Sequence, residues 1–411
     1  MVSCAVTPVV DPDEVEAIAA ALLSAPLATF DLEFLSADRL IPTLCLVQVS
    51  WLPQHVHLDA PATTIVAHPV EIRLLDPLAV DVGPVIRALA AHPCVVAHAP
   101  RQDLALLATR FGVAMPTIAD TQIMAAFAGI GDQVGLAALG NELLGLSLGK
   151  ELQWTDWGQR PLSEAQLAYA ADDVRHLPAL FAILRDRLGE RMPWALAESS
   201  QVAADAVAAT QVTPETAWRQ LGGLRGMDTA SLAAVIELAA WRHRVAVAMD
   251  RPLGQVLNEK ALIEIARAKP TTVAAVRSVK AVSPIAKQHA EDIVAALAAA
   301  RPADVPVMTQ PRGSSTRAQR WSEILLAIVQ LVADRTGVAS RLLATRSDAE
   351  EFARTVDDQG LDAARSLPAL ATWRRDVIGQ LWVDWLTGAV SLVGDLSAPT
   401  GLELRDAPNL R

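Results

Sequence analysis

The first half of the chain alternates between short β-branched, apolar runs and segments with helical spacing. Four runs have the length and composition of strands, at residues 28–34, 43–51, 71–75 and 94–98. Apolar residues recur at helical spacing at residues 82–91, 101–111, 121–128 and 136–144. A further helix begins at Ser163, which opens a capping-box sequence. Strands followed by interleaved helices predict an α/β domain in which helices pack on a mixed sheet.

The second half of the chain is rich in alanine and leucine at helical spacing and shows no convincing strand. Residues 199–213 are small and almost uncharged, and residues 301–316 contain three prolines, so both segments are typical of linkers. The predicted organisation is an α/β domain at 1–198, helical bundles at 214–300 and 317–395, and a tail at 396–411.

Composition places the chain among globular proteins, because 52% of its residues are apolar and 20% are charged. No run approaches the roughly 18 uncharged apolar residues of a membrane helix, and the N-terminus lacks a basic leader. The three cysteines, Cys4, Cys45 and Cys94, are too few and too widely spaced for a disulfide framework or a CxxC zinc site. We therefore expect a cytoplasmic protein that does not associate with membranes.

The net charge of −11 is unevenly distributed along the chain. Block 214–300 contains 11 basic and 8 acidic residues, so the negative charge lies mainly in the first domain. Such a domain either repels polyanions or uses its carboxylates to bind divalent metals. The mildly basic block is the better candidate for phosphate contacts.

Candidate chemistry begins with acidic residues in the α/β domain. Asp31 and Glu33 lie two apart on a predicted strand and so point to one face, where they repel each other unless a cation lies between them. A solvated strand face is the alternative. Asp103 lies where a strand gives way to a helix, and there a favourable interaction with the helix dipole is an equally ordinary explanation.

Tyr169 and Asp173 form a third candidate cluster. They are one turn apart on the helix that begins near Ser163, and Tyr169 is the only tyrosine in the chain. A chain that keeps a single tyrosine beside an aspartate suggests a role for the phenol. A buried phenol bonded to a neighbouring carboxylate explains the pair equally well.

The order Asp-x-Glu, Asp, then Tyr-x-x-x-Asp resembles the ribonuclease D family, which joins a DEDDy-type 3′→5′ exonuclease domain to an HRDC domain. Segments 120–127, 155–157, 160–162 and 166–171 follow in the family's order. Residues 217–300 resemble the HRDC domain, a helical nucleic-acid-binding module. Segments 336–346 and 372–375 look like the family's C-terminal helical domain, a divergent HRDC copy.

The resemblance implies an RNase H-like mixed sheet flanked by helices, followed by two all-α bundles. It also implies two divalent ions, Mg²⁺ or Mn²⁺, held by four acids: Asp31, Glu33, Asp103 and Asp173. Tyr169, by the same analogy, orients the attacking water. The implied reaction is hydrolysis of phosphodiester bonds from RNA 3′ ends, above all in tRNA precursors or other structured RNA.

Four residues are candidates for RNA contact: Phe34, Lys150, Arg242 and Arg244. Phe34 would stack on the 3′-terminal base, although a core phenylalanine is equally expected. Lys150 would meet a phosphate, with a solvated lysine as the alternative. The two arginines belong to a basic stripe that either binds phosphates or forms an ordinary solvated helix surface.

Two other functions remain open at this point. The same site can act on DNA, since discrimination rests on the 2′-OH, which one sequence does not reveal. The chain can also be a non-catalytic RNA-binding protein on a decayed nuclease fold. The five intact candidate residues argue against decay. We expect no obligate protein partner.

Overall fold

The computed structural model describes residues 7–149, 152, 155–224, 226–306, 314–398 and 400–406. Five strands form the sheet of the N-terminal domain: β1 (Ala28–Leu35), β2 (Thr43–Trp51), β3 (Glu71–Leu75), β4 (Val95–Ala97) and β5 (Ile118–Asp120). Their order is β3-β2-β1-β4-β5, with β1–β2 and β2–β3 antiparallel and β1–β4 and β4–β5 parallel. The predicted mixed sheet is confirmed.

Within the described part of this domain, nine α-helices pack around the sheet. They are α1 (Pro12–Ser24), α2 (Ala62–Ala67), α3 (Gly83–Ala91), α4 (Arg101–Phe111), α5 (Thr121–Phe127), α6 (Leu136–Leu144), α7 (Glu164–Arg175), α8 (Leu177–Leu188) and α9 (Met192–Thr210). The even-numbered β1 residues Phe30 and Leu32 pack into the core that α1, α3 and α4 cover. Because side chains alternate along a strand, Asp31 and Glu33 point to the opposite face, which α7 covers.

Helix α9 corrects the prediction that residues 199–213 form a linker. Residues 199–210 are its C-terminal part, and Ala203 and Ala206 are buried in the same core as α1 and α4. The small, uncharged composition therefore reflects close packing: alanine has the highest helix propensity and lets a helix approach its neighbours closely.

The middle block is entirely helical. Its helices are α10 (Thr229–Met249), α11 (Leu253–Val256), α12 (Glu259–Ala268), α13 (Val273–Ser278), α14 (Pro284–Gln288) and α15 (Ala290–Ala299). They enclose a core of their own, centred on buried residues of α10 and α12. The block therefore has the packing of a separate helical module.

The C-terminal block is largely helical. Its helices are α16 (Thr316–Thr336), α17 (Ser340–Leu343), α18 (Arg346–Gln359), α19 (Leu361–Ala364) and α20 (Gln380–Leu386). An antiparallel hairpin of β6 (Val390–Gly394) and β7 (Leu402–Asp406) follows them. The prediction that this block contains no strand is wrong, and residues 402–406 of the predicted tail form β7. Apolar Leu392 and Leu404 pair across the hairpin and pack on the helices.

The C-terminal block shares one hydrophobic core with the N-terminal domain. The Trp373 ring contacts Phe127 and stacks on Trp194, with ring centroids 5.1 and 5.5 Å apart. The Arg191 guanidinium donates to the carbonyls of Phe127 and Thr336, at 2.9 and 2.8 Å. The C-terminal block, predicted as a separate bundle at 317–395, therefore packs as one body with the N-terminal domain. No described helix is both long and apolar enough to span a bilayer.

Candidate active site

Strand β1 places Asp31 and Glu33 on one face of the sheet, opposite Gln48 and Leu46 of β2. The β1–β2 register shifts between Glu33 and Phe34, directly after the second acid. A bulge at this point bends the strand and re-aims the side chains beside it. Both acids lie on the central strand of the sheet, beyond the residues that pair with β4, so their backbone pairs with β2 alone.

Helix α4 brings Asp103 to the same region. It follows β4, the parallel neighbour of β1, so its first turn lies at the end of the sheet towards which β1 also runs. The turn between β4 and α4 contains Ala99 in a left-handed conformation (φ +52°), which is unusual for alanine. The buried Asp120 carboxylate stabilises this turn by accepting the Ala99 N–H at 2.9 Å and the Gln122 N–H at 2.8 Å.

Helix α7 carries Tyr169 and Asp173 across the sheet. The predicted capping box at its start is confirmed. Near its end, the Ser50 hydroxyl donates to the Val174 carbonyl at 2.9 Å and lies 2.7 Å from the Thr29 hydroxyl, which fixes the helix on β1 and β2.

Asp172 and Asp173 are adjacent but have different surroundings. Asp172 forms an ion pair with Arg175 at 2.9 Å. Asp173 instead joins Asp31 and Glu33: each offers one carboxylate oxygen, and these oxygens all lie within 4.8 Å of one another. Among the described ion pairs, none includes these three acids or Asp103.

Burial raises the pKa of every acid in the group, and repulsion by neighbouring acids adds to the rise at Glu33, Asp103 and Asp173. Burial raises the pKa of Asp31 to about 7, although a backbone hydrogen bond at Leu32 opposes the shift. The pKa of Glu33 rises to about 9 through burial and the charges of the other three acids, and that of Asp173 to about 8 through burial, Asp31 and Asp172. Burial and the Asp31 charge raise the pKa of Asp103.

Tyr169 lies half-buried beside these acids. Burial and the charges of Asp173, Glu33 and Asp31 hold the pKa of its phenol well above its usual range. The centroid of its ring lies 6.1 Å from that of the buried Trp157. The phenol therefore stays protonated at neutral pH and presents an O–H donor to the site.

All five predicted catalytic side chains line one cleft of about 860 Å³. Phe34, predicted to stack on a base, also lines this cleft and is half-buried. Arg101, in the first turn of α4, is exposed and is the one lysine or arginine among the described lining residues. His98 lines the cleft as well, but burial lowers its pKa to about 4, so it is uncharged at neutral pH.

The other three residues predicted to contact RNA differ in their exposure to solvent and in whether the structure describes them. Arg242 is buried, with 5% of its surface exposed, and donates to the Leu257 carbonyl at 3.2 Å, so its prediction as a phosphate contact is corrected. The residue belongs to the inner face of α10, which the basic stripe in the sequence did not reveal. Arg244 is exposed on the same helix. Lys150 lies outside the described residues.

The middle block contacts the loop that continues from β1. The Asp250 carboxylate accepts the N–H groups of Leu40 and Ile41, at 3.2 and 3.4 Å, and pairs with Arg39 at 2.8 Å. Gln255 donates to the Ala37 carbonyl at 3.0 Å. Residues 35–37 of this loop line the cleft, so the middle block supports one rim of the candidate site.

Sequence reasoning did not select Arg101, Gln48 or Asp250. Arg101 lies two residues before the candidate metal ligand Asp103, and this short distance in the sequence could have indicated that Arg101 lies at the site. Gln48 interrupts an otherwise apolar strand, a weaker signal of the same kind. The contact of Asp250 with Leu40 joins residues 210 positions apart, and no local pattern predicts it.

Two family models match the chain: one described as 3′-5′ exonuclease at residues 6–189, and the HRDC domain at residues 231–297. Ribonuclease D of Acidiphilium cryptum is 32% identical over 370 residues, which cover 87% of each chain. Ribonuclease D of Gluconacetobacter diazotrophicus is 33% identical over 371 residues, which cover 86% of each.

Among solved structures, Escherichia coli RNase D has a similar fold. The TM-score is 0.75 at 23% identity, over 93% of this chain and 98% of that one. At this identity the likeness supports the fold, including the helical C-terminal regions.

The raised pKa values predict that the protein without divalent metal loses stability as the pH rises. Unfolded carboxyl groups titrate near pH 4, so between about pH 4 and 9 the folded state holds protons that the unfolded state has released. In chelator, we expect the melting temperature to fall between pH 7 and 9. The melting temperature of the variant Asp31→Asn/Glu33→Gln should fall less over the same range, because the variant has lost two of the carboxyl groups with raised pKa values.

Differential scanning fluorimetry measures both effects. The range above pH 7 avoids His98 and His176, whose lowered pKa values affect stability at lower pH. Because protons compete with metal ions for the carboxylates, added Mn²⁺ should stabilise the native protein more at pH 8.5 than at pH 6.5. If the melting temperatures of the native protein and the double variant changed equally with pH, the raised pKa values assigned to Asp31 and Glu33 would be wrong.

Proposed function

The chain belongs to the ribonuclease D family of 3′→5′ exoribonucleases, and we propose that it trims the 3′ ends of structured RNA, above all tRNA precursors. The proposed catalytic residues all line the described cleft: Asp31, Glu33, Asp103, Tyr169 and Asp173. The observation that carries the proposal is the approach of three carboxylates within 4.8 Å in a half-buried site, where no described arginine or lysine pairs with them.

The donor set fits Mg²⁺ or Mn²⁺. It consists of carboxylate oxygens, the hard ligands that these ions prefer, and like-charged buried acids remain ionised at neutral pH only if a cation compensates them. Asp31, Glu33 and Asp173 would hold the ions together with Asp103, which lies in the same cleft. Two bound ions would lower the pKa of the attacking water and stabilise the attacking and leaving oxygens.

Tyr169 provides the proton donor beside these acids. Its O–H stays protonated at neutral pH, so it acts by hydrogen bonding to the attacking water and not as a general base. Contact with the buried Trp157 limits the positions of the ring. The phenol thus orients the attacking water, whose pKa the bound ions would lower.

RNA would reach the cleft along surfaces that do not read sequence. Phe34 offers an aromatic face for the terminal base, and Arg101 offers a positive charge for a nearby phosphate. Arg244, exposed on α10, extends phosphate contact to the HRDC domain. Escherichia coli RNase D, which has a similar fold, is an exoribonuclease involved in structured RNA processing, and this supports the same substrate class here.

A 3′-extended tRNA and a DNA strand of matched sequence test the proposed activity. With Mg²⁺ or Mn²⁺ we expect stepwise loss of 3′ nucleotides from the RNA, and no loss in chelator or with Asp31→Ala. Asp173→Asn should lower kcat at least about 100-fold, because it removes a metal ligand. Its neighbour provides the control: Asp172→Asn loses an exposed ion pair with Arg175 and should keep most of the activity.

Gel electrophoresis of end-labelled products distinguishes the outcomes. Equal degradation of the DNA strand would favour the exodeoxyribonuclease alternative. RNA binding without cleavage would favour the non-catalytic one. Endonucleolytic products, or full activity in Asp173→Asn, would overturn the proposed site.

Tyr169→Phe should lower kcat by about 10²–10⁴-fold, the usual contribution of a group that assists proton transfer or orients a nucleophile. KM for RNA should change little, because the ring and its contact with Trp157 remain. Steady-state kinetics on a labelled RNA separates the two constants. A rise in KM with unchanged kcat would instead assign Tyr169 to substrate binding.

Arg101→Ala should raise KM for a four-nucleotide RNA about tenfold and change kcat little, because loss of one charge-assisted phosphate contact costs about 1.5 kcal/mol. Arg187→Ala is the matched control: Arg187 is also exposed on a helix of this domain but does not line the cleft. Kinetics on the short RNA measures both. If both substitutions raised KM equally, RNA binding would depend on the overall charge of the protein and not on a phosphate contact of Arg101.

A further inference from the structure

Gln48, in the middle of β2, has none of its surface exposed to solvent. Neither its amide nitrogen nor its amide oxygen has a hydrogen-bond partner among the described residues. Buried polar groups are nearly always paired, and an exception requires a specific explanation. An apolar residue of similar size would fill this position without leaving two polar atoms unpaired.

The position of Gln48 connects it to the candidate metal site. It lies directly opposite Asp31 in the antiparallel β1–β2 pair, so both side chains leave the sheet on the same face. The next pair on the same face of the sheet is Thr29 and Ser50, and its polar groups have partners within the fold. The two hydroxyl oxygens lie 2.7 Å apart, and the Ser50 hydroxyl donates to the Val174 carbonyl. The unpaired amide is therefore specific to the place opposite the first acid.

Asp31 has acceptor capacity left for such a group. Its described polar contact is the backbone N–H of Leu32, and no described side-chain hydrogen bond or ion pair ends on its carboxylate. Carboxylates that hold metal ions commonly accept a further hydrogen bond from the protein, which fixes their orientation. A neutral amide can supply that bond without adding a positive charge that would compete with the cation.

We propose that Gln48 is a positioning residue for the metal site: when a divalent ion binds, its amide N–H, unpartnered among the described residues, donates to the Asp31 carboxylate and holds it in the orientation that binds the ion. This inference rests on the metal site proposed above. Gln48 acts through Asp31 and does not line the cleft, so it is not a catalytic residue.

Gln48→Met tests the proposal, because methionine keeps the unbranched shape and removes both polar atoms. We expect the concentration of Mn²⁺ that gives half of the maximal rise in melting temperature to increase about tenfold, the usual effect of removing a group that orients a metal ligand. The melting temperature in chelator should not fall, since the variant buries no unpaired amide. Gln48→Leu is a second apolar variant, which keeps the test valid if Gln48→Met does not fold.

Ser50→Ala is the matched control on the same strand and face. It removes hydrogen bonds to Thr29 and Val174, so it should lower the melting temperature in chelator and leave the Mn²⁺ midpoint unchanged. A Mn²⁺ midpoint within twofold of the native value in Gln48→Met and Gln48→Leu overturns the positioning role alone. A native protein without any Mn²⁺-dependent stabilisation overturns the proposed metal site, and this inference with it.

Discussion

The mutual repulsion of Asp31, Glu33 and Asp173 is the constraint on which the rest of the site depends. Their oxygens lie within 4.8 Å of one another, in surroundings that water screens poorly. Folding alone does not make this arrangement favourable, because it removes hydration from like charges and supplies no counter-charge. Protons compensate them at low pH and divalent cations do so near neutrality. A site of this kind therefore combines low intrinsic stability with selectivity for small multivalent ions.

The surrounding fold provides partners for the other buried acids, Asp76 and Asp120, and leaves the acids of the candidate site without an ion pair. Asp76 is at least as buried as Asp103, but it forms an ion pair with Arg160 at 2.6 Å, which lowers its pKa. Asp120 accepts backbone N–H groups of Ala99 and Gln122, and thereby stabilises the turn that precedes Asp103. The contrast with the candidate site is thus one of pairing, not of burial. Evolution of a structural core would have had no reason to leave four acids without partners.

Local pattern sufficed for strands β1 to β4 and helices α3 to α7, but it did not reveal α1, α2, β5 or the β6–β7 hairpin. Strand alternation predicted that Asp31 and Glu33 share a face, and a spacing of four predicted that Tyr169 and Asp173 do. Local pattern failed where a residue's environment depends on distant segments. Arg242 reads as part of a basic stripe but belongs to the inner face of α10, and the supposed linker at 199–213 is a packed helix because its alanines meet α4. The continuous core around Trp373 joins segments that prolines and glycine separate in the sequence.

The contact between the HRDC domain and the loop after β1 helps to set the shape of the cleft. Asp250 caps α10 in a left-handed conformation (φ +48°), and its carboxylate holds the loop backbone at Leu40 and Ile41. The same loop follows the bulge beside Phe34 and forms a rim of the cleft. Fewer than ten residues separate this contact from the strand that carries Asp31 and Glu33. Besides the phosphate contact proposed for it, the HRDC domain therefore supports one wall of the candidate site.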